Sequence, residues 1–179
     1  VNDDAPAIYV RSADKVFVTT TSSENALSVT GLFVADGDTN LDAVIFSRSD
    51  LVLNGTGTLT VTSTANGISS KDDLKVTGGT LTIDCAGNGL EANDSVAIAG
   101  GTITITAQED GIDAEYDDGT GYVYITGGAI SIQAADDGIQ GTKLVQIDGG
   151  TITISAEEGI EGTYVQLNGG TIDIYATDD

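Results

Sequence analysis

The chain has 179 residues, about one domain's length, with 28 Asp+Glu against six Lys+Arg and a formal net charge of −22. It has no His and one Cys, which excludes histidine catalysis, His-ligated zinc, an internal disulfide and a Cys-rich metal centre. Such an acidic chain is repelled by nucleic acid and anionic membranes, and no apolar run approaches the ~20 residues of a membrane span.

A repeat organises the rest. A loose copy runs from about Ala7 to Leu41 and carries an irregular loop over 31–42. A degenerate copy follows from Asp42 to Ala65. The unit is clear from Asn66 to Gly87 (NGISSKDDLKVTGGTLTIDCAG) and from Asn88 to Glu109 (NGLEANDSVAIAGGTITITAQE). Asp110 to Asp136 is the same unit with a five-residue insertion. Asp137 to Glu157 and Glu158 to Asp178 complete the series, about seven copies in all. The pattern starts at Val1 and stops in mid-unit at Asp179, as expected of a piece of a longer β-helix domain.

Each copy predicts three short strands. The first holds one apolar residue: Ile45, Ile68, Leu90, Ile112, Ile139 or Ile160. The second alternates, as in Leu74/Val76, Val96/Ile98 and Val145/Ile147. So does the third, as in Leu81/Ile83, Ile103/Ile105 and Ile152/Ile154. Alternation puts one face in and one out. Gly-Gly between the second and third strands supplies a bend needing positive φ, and an Asn-Gly or acidic-Gly pair bends the chain again. A coil of ~22 residues is too short for βαβ units. The expectation is therefore an all-β, right-handed parallel β-helix (a solenoid) of about seven coils, with 1–179 as one domain. Cys85 aligns with small Ala residues and reads as a buried core position.

Stacking turns outward residues into columns. The acidic bends are Glu109-Asp110, Asp136-Asp137, Glu157-Glu158 and Asp178-Asp179, with Asp113, Gln140 and Glu161 two positions past the Gly. Carboxylates ~4.8 Å apart repel, and the column holds no Lys or Arg. Ca²⁺, which takes six to eight oxygens, relieves such a stack; a solvated acidic edge is the alternative. Asp36, Asp38, Asn40 and Asp42 place oxygen ligands at alternate positions, as calcium loops do, without the EF-hand Gly and Glu; the alternative is a polar turn. Arg11, Arg48 and Lys71 share one bend, poised for polymer carboxylates or for local ion pairs with Asp14, Asp50, Asp72 and Asp73. Tyr122 and Tyr164 stack outward with Leu144, and Tyr124 sits beside them, suited to sugar faces or to stacking between coils. Thr ranks such as Thr80/Thr82, Thr102/Thr104 and Thr151/Thr153 are similar to those of solenoid antifreeze proteins, but threonine also simply favours strands.

The ordered set ENALS (Glu24 to Ser28), AVIFS (Ala43 to Ser47), NGISSKDDLKVTGGTLTI, and then repeated DGI and GGTITI units resembles a bacterial family. These are the calcium-binding, carbohydrate-binding β-helix proteins of cellulose- and pectin-degrading bacteria. The resemblance implies a polysaccharide-lyase-like right-handed β-helix that binds acidic plant polysaccharide such as polygalacturonate without cleaving it. It also implies calcium at Asp110, Asp113, Asp136 and Asp137, and a polar bend at Asp72-Asp73. Gln140-Gly141 and Glu161-Gly162 depart from the family, where Lys or His with Ser is more usual.

The sequence thus predicts a secreted or cell-surface bacterial module that binds acidic polysaccharide through Ca²⁺. Glu109, Asp110, Asp113, Asp136, Asp137, Glu157, Glu158, Asp36, Asp38, Asn40 and Asp42 are the metal candidates, and Tyr122, Tyr124, Tyr164, Arg11, Arg48 and Lys71 the sugar candidates. A structural rod that associates end to end is the main alternative. Lyase chemistry, which needs Ca²⁺ and a Lys or Arg base on one face, and ice binding are lesser ones.

Overall fold

The computed structural model describes residues 4–116 and 119–177. Among them there is no helix, and none long and apolar enough to cross a membrane. The strands form two parallel sheets in a solenoid-like arrangement.

The third strands make a seven-stranded sheet, from Glu24–Val29 through Thr58–Ser63, Thr80–Cys85, Thr102–Ala107, Ala129–Gln133 and Thr151–Ala156 to Thr171–Ala176. Its register is unbroken: Leu59 faces Leu81, Leu81 faces Ile103, Ile103 faces Ile130, and Ile152 faces Ile172. First and second strands form a 12-stranded sheet. Its two ranks join because Asp137–Ile147 and Glu158–Leu167 each run through both positions as one strand. A register shift between Gly141 and Leu144 is all that remains of the first bend there. In the preceding coils the stretches Lys71-Asp72 and Asn93-Asp94 break the strand instead.

The core is the ladder of inward residues. Ile68, Leu90, Ile112 and Ile139 are fully buried, as are Leu51, Leu74, Val96, Val123 and Val145. Burying one such side chain contributes about 1.5–3 kcal/mol. Cys85 lies in this core in register with Ala107, and burial pushes its thiol up to about 12, so it is an inert packing residue at neutral pH. In the last coil the same inward positions meet solvent: Val165, Leu167 and Ile174 are 43%, 56% and 40% exposed.

Glycine does two different jobs at the bends. The second glycine of each Gly-Gly has positive φ, between +88° at Gly79 and +104° at Gly128. The glycine after the acidic or Asn residue does not; it gives space. A Cβ on Gly138 would lie 2.3 Å from the Ile154 Cγ2 and 2.5 Å from the Gly159 carbonyl oxygen. This glycine lets the bend close onto the core and brings successive bend side chains into one column.

Some outward positions of the first rank are buried as well. Phe46 packs with Leu41, Ala43 and Tyr9, the Tyr9 ring standing edge-on to it at 5.8 Å. Segment 31–42 supplies Leu41 to this second, smaller cluster and Phe33 to the main core.

Candidate functional site

The bend column is built by side chains that reach the next coil's backbone. The Asn66 Oδ1 accepts the Asn88 N–H, the Asn88 Oδ1 accepts the Asp110 N–H, and the Asp110 Oδ1 accepts the Asp137 N–H, each at 2.9 Å. Asn and Asp serve equally as acceptors, so the ladder tolerates the change from amide to acid along the chain. The second oxygen or nitrogen of each side chain decides the local chemistry.

Upstream, amides meet carboxylates. The Asn66 Nδ2 donates to Glu91, whose other oxygen takes the Lys71 ammonium at 2.6 Å. The Asn88 Nδ2 donates to the Asp113 Oδ2 at 3.1 Å. Downstream, carboxylates meet carboxylates. Oxygens of Asp110, Asp136 and Asp137 lie within 4.8 Å of one another, and so do those of Asp137, Glu158 and Glu161. Asp137 belongs to both groups and is 5% exposed, while Asp136, Glu158 and Glu161 face solvent. Neither the Asp137 Oδ1 nor the Asp113 Oδ1 has a hydrogen-bond partner, although both are buried.

Electrostatics follow from that packing. Burial first, then the nearby Asp110, Glu91 and Glu115, push the Asp113 carboxyl up to about 8. Asp110 is raised to about 6 by burial, which outweighs the lowering effect of the Asp137 N–H, with Asp136 and Glu109 adding to the rise. Asp137 is raised by burial, then by Glu161, Asp110 and Glu158. Burial therefore disfavours the charged forms of Asp113 and Asp137, and no side chain in either group supplies a cation to offset them.

The remaining metal candidates are placed differently. Asp113 stacks between Glu91 and Gln140, takes a hydrogen bond from Asn88 of the bend column, and lies outside both converging groups. Glu109 and Glu157 are exposed beside the bends and join neither group. Asp178 and Asp179 lie outside the described residues. In the loop, Asp36 pairs with Arg11 at 3.0 Å and accepts the Tyr9 hydroxyl at 3.3 Å. Asn40 donates to the Asp42 Oδ2 at 2.8 Å, and Asp38 is exposed. A third acidic group, Asp50, Asp72 and Asp73, gathers at the Lys71 bend, with Asp50 paired to Lys15 at 3.0 Å.

The basic residues do share a bend: the Arg48 N–H bonds the Val10 carbonyl and the Lys71 N–H the Ser47 carbonyl. Their side chains part. Arg11 lies over the Tyr9 ring at 5.0 Å, Arg48 is exposed, and Lys71 lies 5.6 Å from the Phe46 ring centre. Tyr122, Leu144 and Tyr164 are in register, as expected from their spacing. The Tyr122 and Tyr124 rings lie parallel within 6°, centres 6.0 Å apart, and the Lys143 ammonium stands 5.9 Å over Tyr164. An open trough lined by Lys71, Glu91, Asn93, Asp113, Glu115 and Tyr116 continues past Asp94 to Tyr122.

Glu161, Glu91 and Tyr116 were absent from the expected sites. Glu161 was visible two positions past a glycine, but its partner Asp137 lies one coil earlier and in the other column. The two converge along a diagonal between columns, which the register within one column does not reveal.

A family model described as "Carbohydrate-binding domain-containing protein" matches residues 1–179. A protein of the same description from Acetivibrio thermocellus is 40% identical over 81 residues, 43% of this chain and 28% of that relative, so the match spans under a third of the relative's length. The solved structure of the polysaccharide lyase-like protein from C. thermocellum, a gadolinium derivative, superposes with a TM-score of 0.87 at 34% identity, over 95% of this chain and 73% of that one.

Proposed function

Since the chain belongs to the family of carbohydrate-binding domain-containing proteins, we propose that it is a Ca²⁺-dependent module that binds an acidic polysaccharide of the polygalacturonate type outside the bacterial cell. The observation that carries this reading is the buried Asp137 carboxylate, unpartnered at Oδ1 and set among four other carboxylates with no basic side chain. A hard divalent cation offsets that charge and accepts further oxygens from solvent or ligand. A uronate carboxylate is such a ligand, which lets an acidic protein hold an acidic polymer. The C. thermocellum protein was solved as a gadolinium derivative, in keeping with uptake of a hard cation by that relative. The right-handed winding in about seven coils belongs to this reading, on the handedness of parallel crossovers, as do 1–179 as one domain and the extracellular location.

Tyr122, Tyr124 and Tyr164 serve as flat surfaces for sugar rings in this account. Binding is favoured over cleavage because the cations nearest the acidic bends are engaged, Lys71 with Glu91 and Lys143 over Tyr164. A β-eliminating base must instead be aimed at a substrate proton.

Retention on immobilised polygalacturonate tests the proposal. Retention in Ca²⁺ that is lost in EDTA supports it; equal retention in both, or none in Ca²⁺, contradicts it. The stacking of parallel coils through their backbone edges favours one second reading, a rod that associates end to end. Concentration-dependent growth in light scattering without sugar supports that alternative.

A further inference from the structure

The bend changes character at one definable point. Asn66 and Asn88 each place an amide against the carboxylate of the following coil, Glu91 or Asp113. From Asp110 onward the bend amide is gone, and at Asp137 the facing residue is the carboxylate of Glu161. Gln140 donates to the Glu161 Oε2 at 3.2 Å, satisfying part of that group and none of Asp137. Asp137 is the one residue common to the two converging triads, and its Oδ1 is buried without a partner.

A carboxylate has two oxygens and can be shared between two cations. From this geometry we infer that Asp137 bridges a pair of calcium ions, one held with Asp110 and Asp136 and the other with Glu158 and Glu161. This rests on the calcium reading above and extends it to stoichiometry and ligand sharing. Five carboxylates then face two divalent ions, so the pair carries a net charge of −5 + 4 = −1. Each triad supplies three side-chain ligands, short of the six to eight oxygens that calcium takes. Asp136, Glu158 and Glu161 lie at the surface, so the remaining positions are open to water or to a carboxylate of the bound polymer.

Asp137→Asn is the decisive variant because it is nearly isosteric and gives position 137 the amide that Asn66 and Asn88 carry upstream. It therefore restores the amide–carboxylate pairing toward Glu161 and is expected to fold without metal. Calorimetric titration of the whole chain with CaCl₂, checked by native mass spectrometry, counts the ions. Two ions are expected, with Asp137→Asn weakening both by about tenfold or more. Asp136→Asn is expected to weaken one ion only and Glu161→Gln only the other. One ion in the unaltered chain overturns the bridge and leaves the calcium reading standing, as does an Asp137→Asn variant that keeps one ion at unchanged affinity. No ion overturns both.

Discussion

The upstream and downstream halves of the bend column share one backbone and one hydrogen-bonded ladder, yet only the upstream half sets side-chain donors against its carboxylates. Residues 1–89 carry 11 acids and five bases, and residues 90–179 carry 17 acids and one base. Upstream, Asn66, Asn88 and Lys71 supply donors to Glu91 and Asp113. Downstream, Asp110, Asp136, Asp137, Glu158 and Glu161 supply only acceptors. From Asn66 to Asp110 each bend side chain accepts the next coil's N–H whether it is amide or acid, and at Asp137 the ladder stops, the Glu158 N–H turning to the Asp136 carbonyl. The charge is what the proposed function uses.

Making the upstream half resemble the downstream one gives the largest expected effect. Asn88→Asp keeps the ladder acceptor but removes the donor to Asp113 and sets a second carboxylate against it. Loss of about 2–3 kcal/mol, or about 5–10 °C in Tm without metal, is expected from thermal unfolding. An unchanged Tm removes the physical basis of the comparison.

A pH series sharpens it next. Folded carboxyls at Asp113 (about 8) and Asp110 (about 6) are raised above their unfolded values. The folded state then holds more protons than the unfolded state, so metal-free stability falls as pH rises through those values. Tm in EDTA is expected to be lower at about pH 8.5 than at about pH 5, opposite to the usual carboxylate contribution, and Ca²⁺ should flatten the slope. A Tm in EDTA that rises over this range contradicts burial of Asp113.

Two smaller effects bound the comparison. Lys71→Met removes the ion pair to Glu91, which is partly exposed, and should cost about 1 kcal/mol, read by urea unfolding. Tyr164→Ala, at a side chain 59% exposed, should leave Tm within about 1 °C and weaken polygalacturonate binding about fivefold. Unchanged binding moves the sugar surface elsewhere, with the trough beside Tyr116 as the next place to test.

Much of the fold was legible because alternation and paired glycines are local signals. Leu81/Ile83 and Ile103/Ile105 fall in the expected register, and the second glycine of each pair has the expected positive φ. Two features were not legible. Phe46 and Ser69 occupy outward positions and are fully buried, because burial there depends on what packs across the sheet and not on the strand's own period. The fusion of two predicted strands into Asp137–Ile147 was also hidden, since Gln140-Gly141-Thr142 reads as a bend by composition but extends as strand in its stacked context. At the site, the acidic column was legible and its pairing was not. Lys71 has Asp72 and Asp73 beside it in sequence, yet its ammonium pairs with Glu91, 20 residues away, because stacking brings the next coil nearer than the next side chain.

The most direct test of the central claim is thermal unfolding of the whole chain in EDTA, then with CaCl₂ restored, and with MgCl₂ as the control. If the downstream bends hold calcium, Tm rises by about 10 °C or more in CaCl₂ and much less in MgCl₂, which dehydrates reluctantly and demands stricter geometry. Equal Tm in EDTA and CaCl₂ would contradict the claim, making the carboxylates around Asp137 a solvated edge with no part in metal-dependent binding.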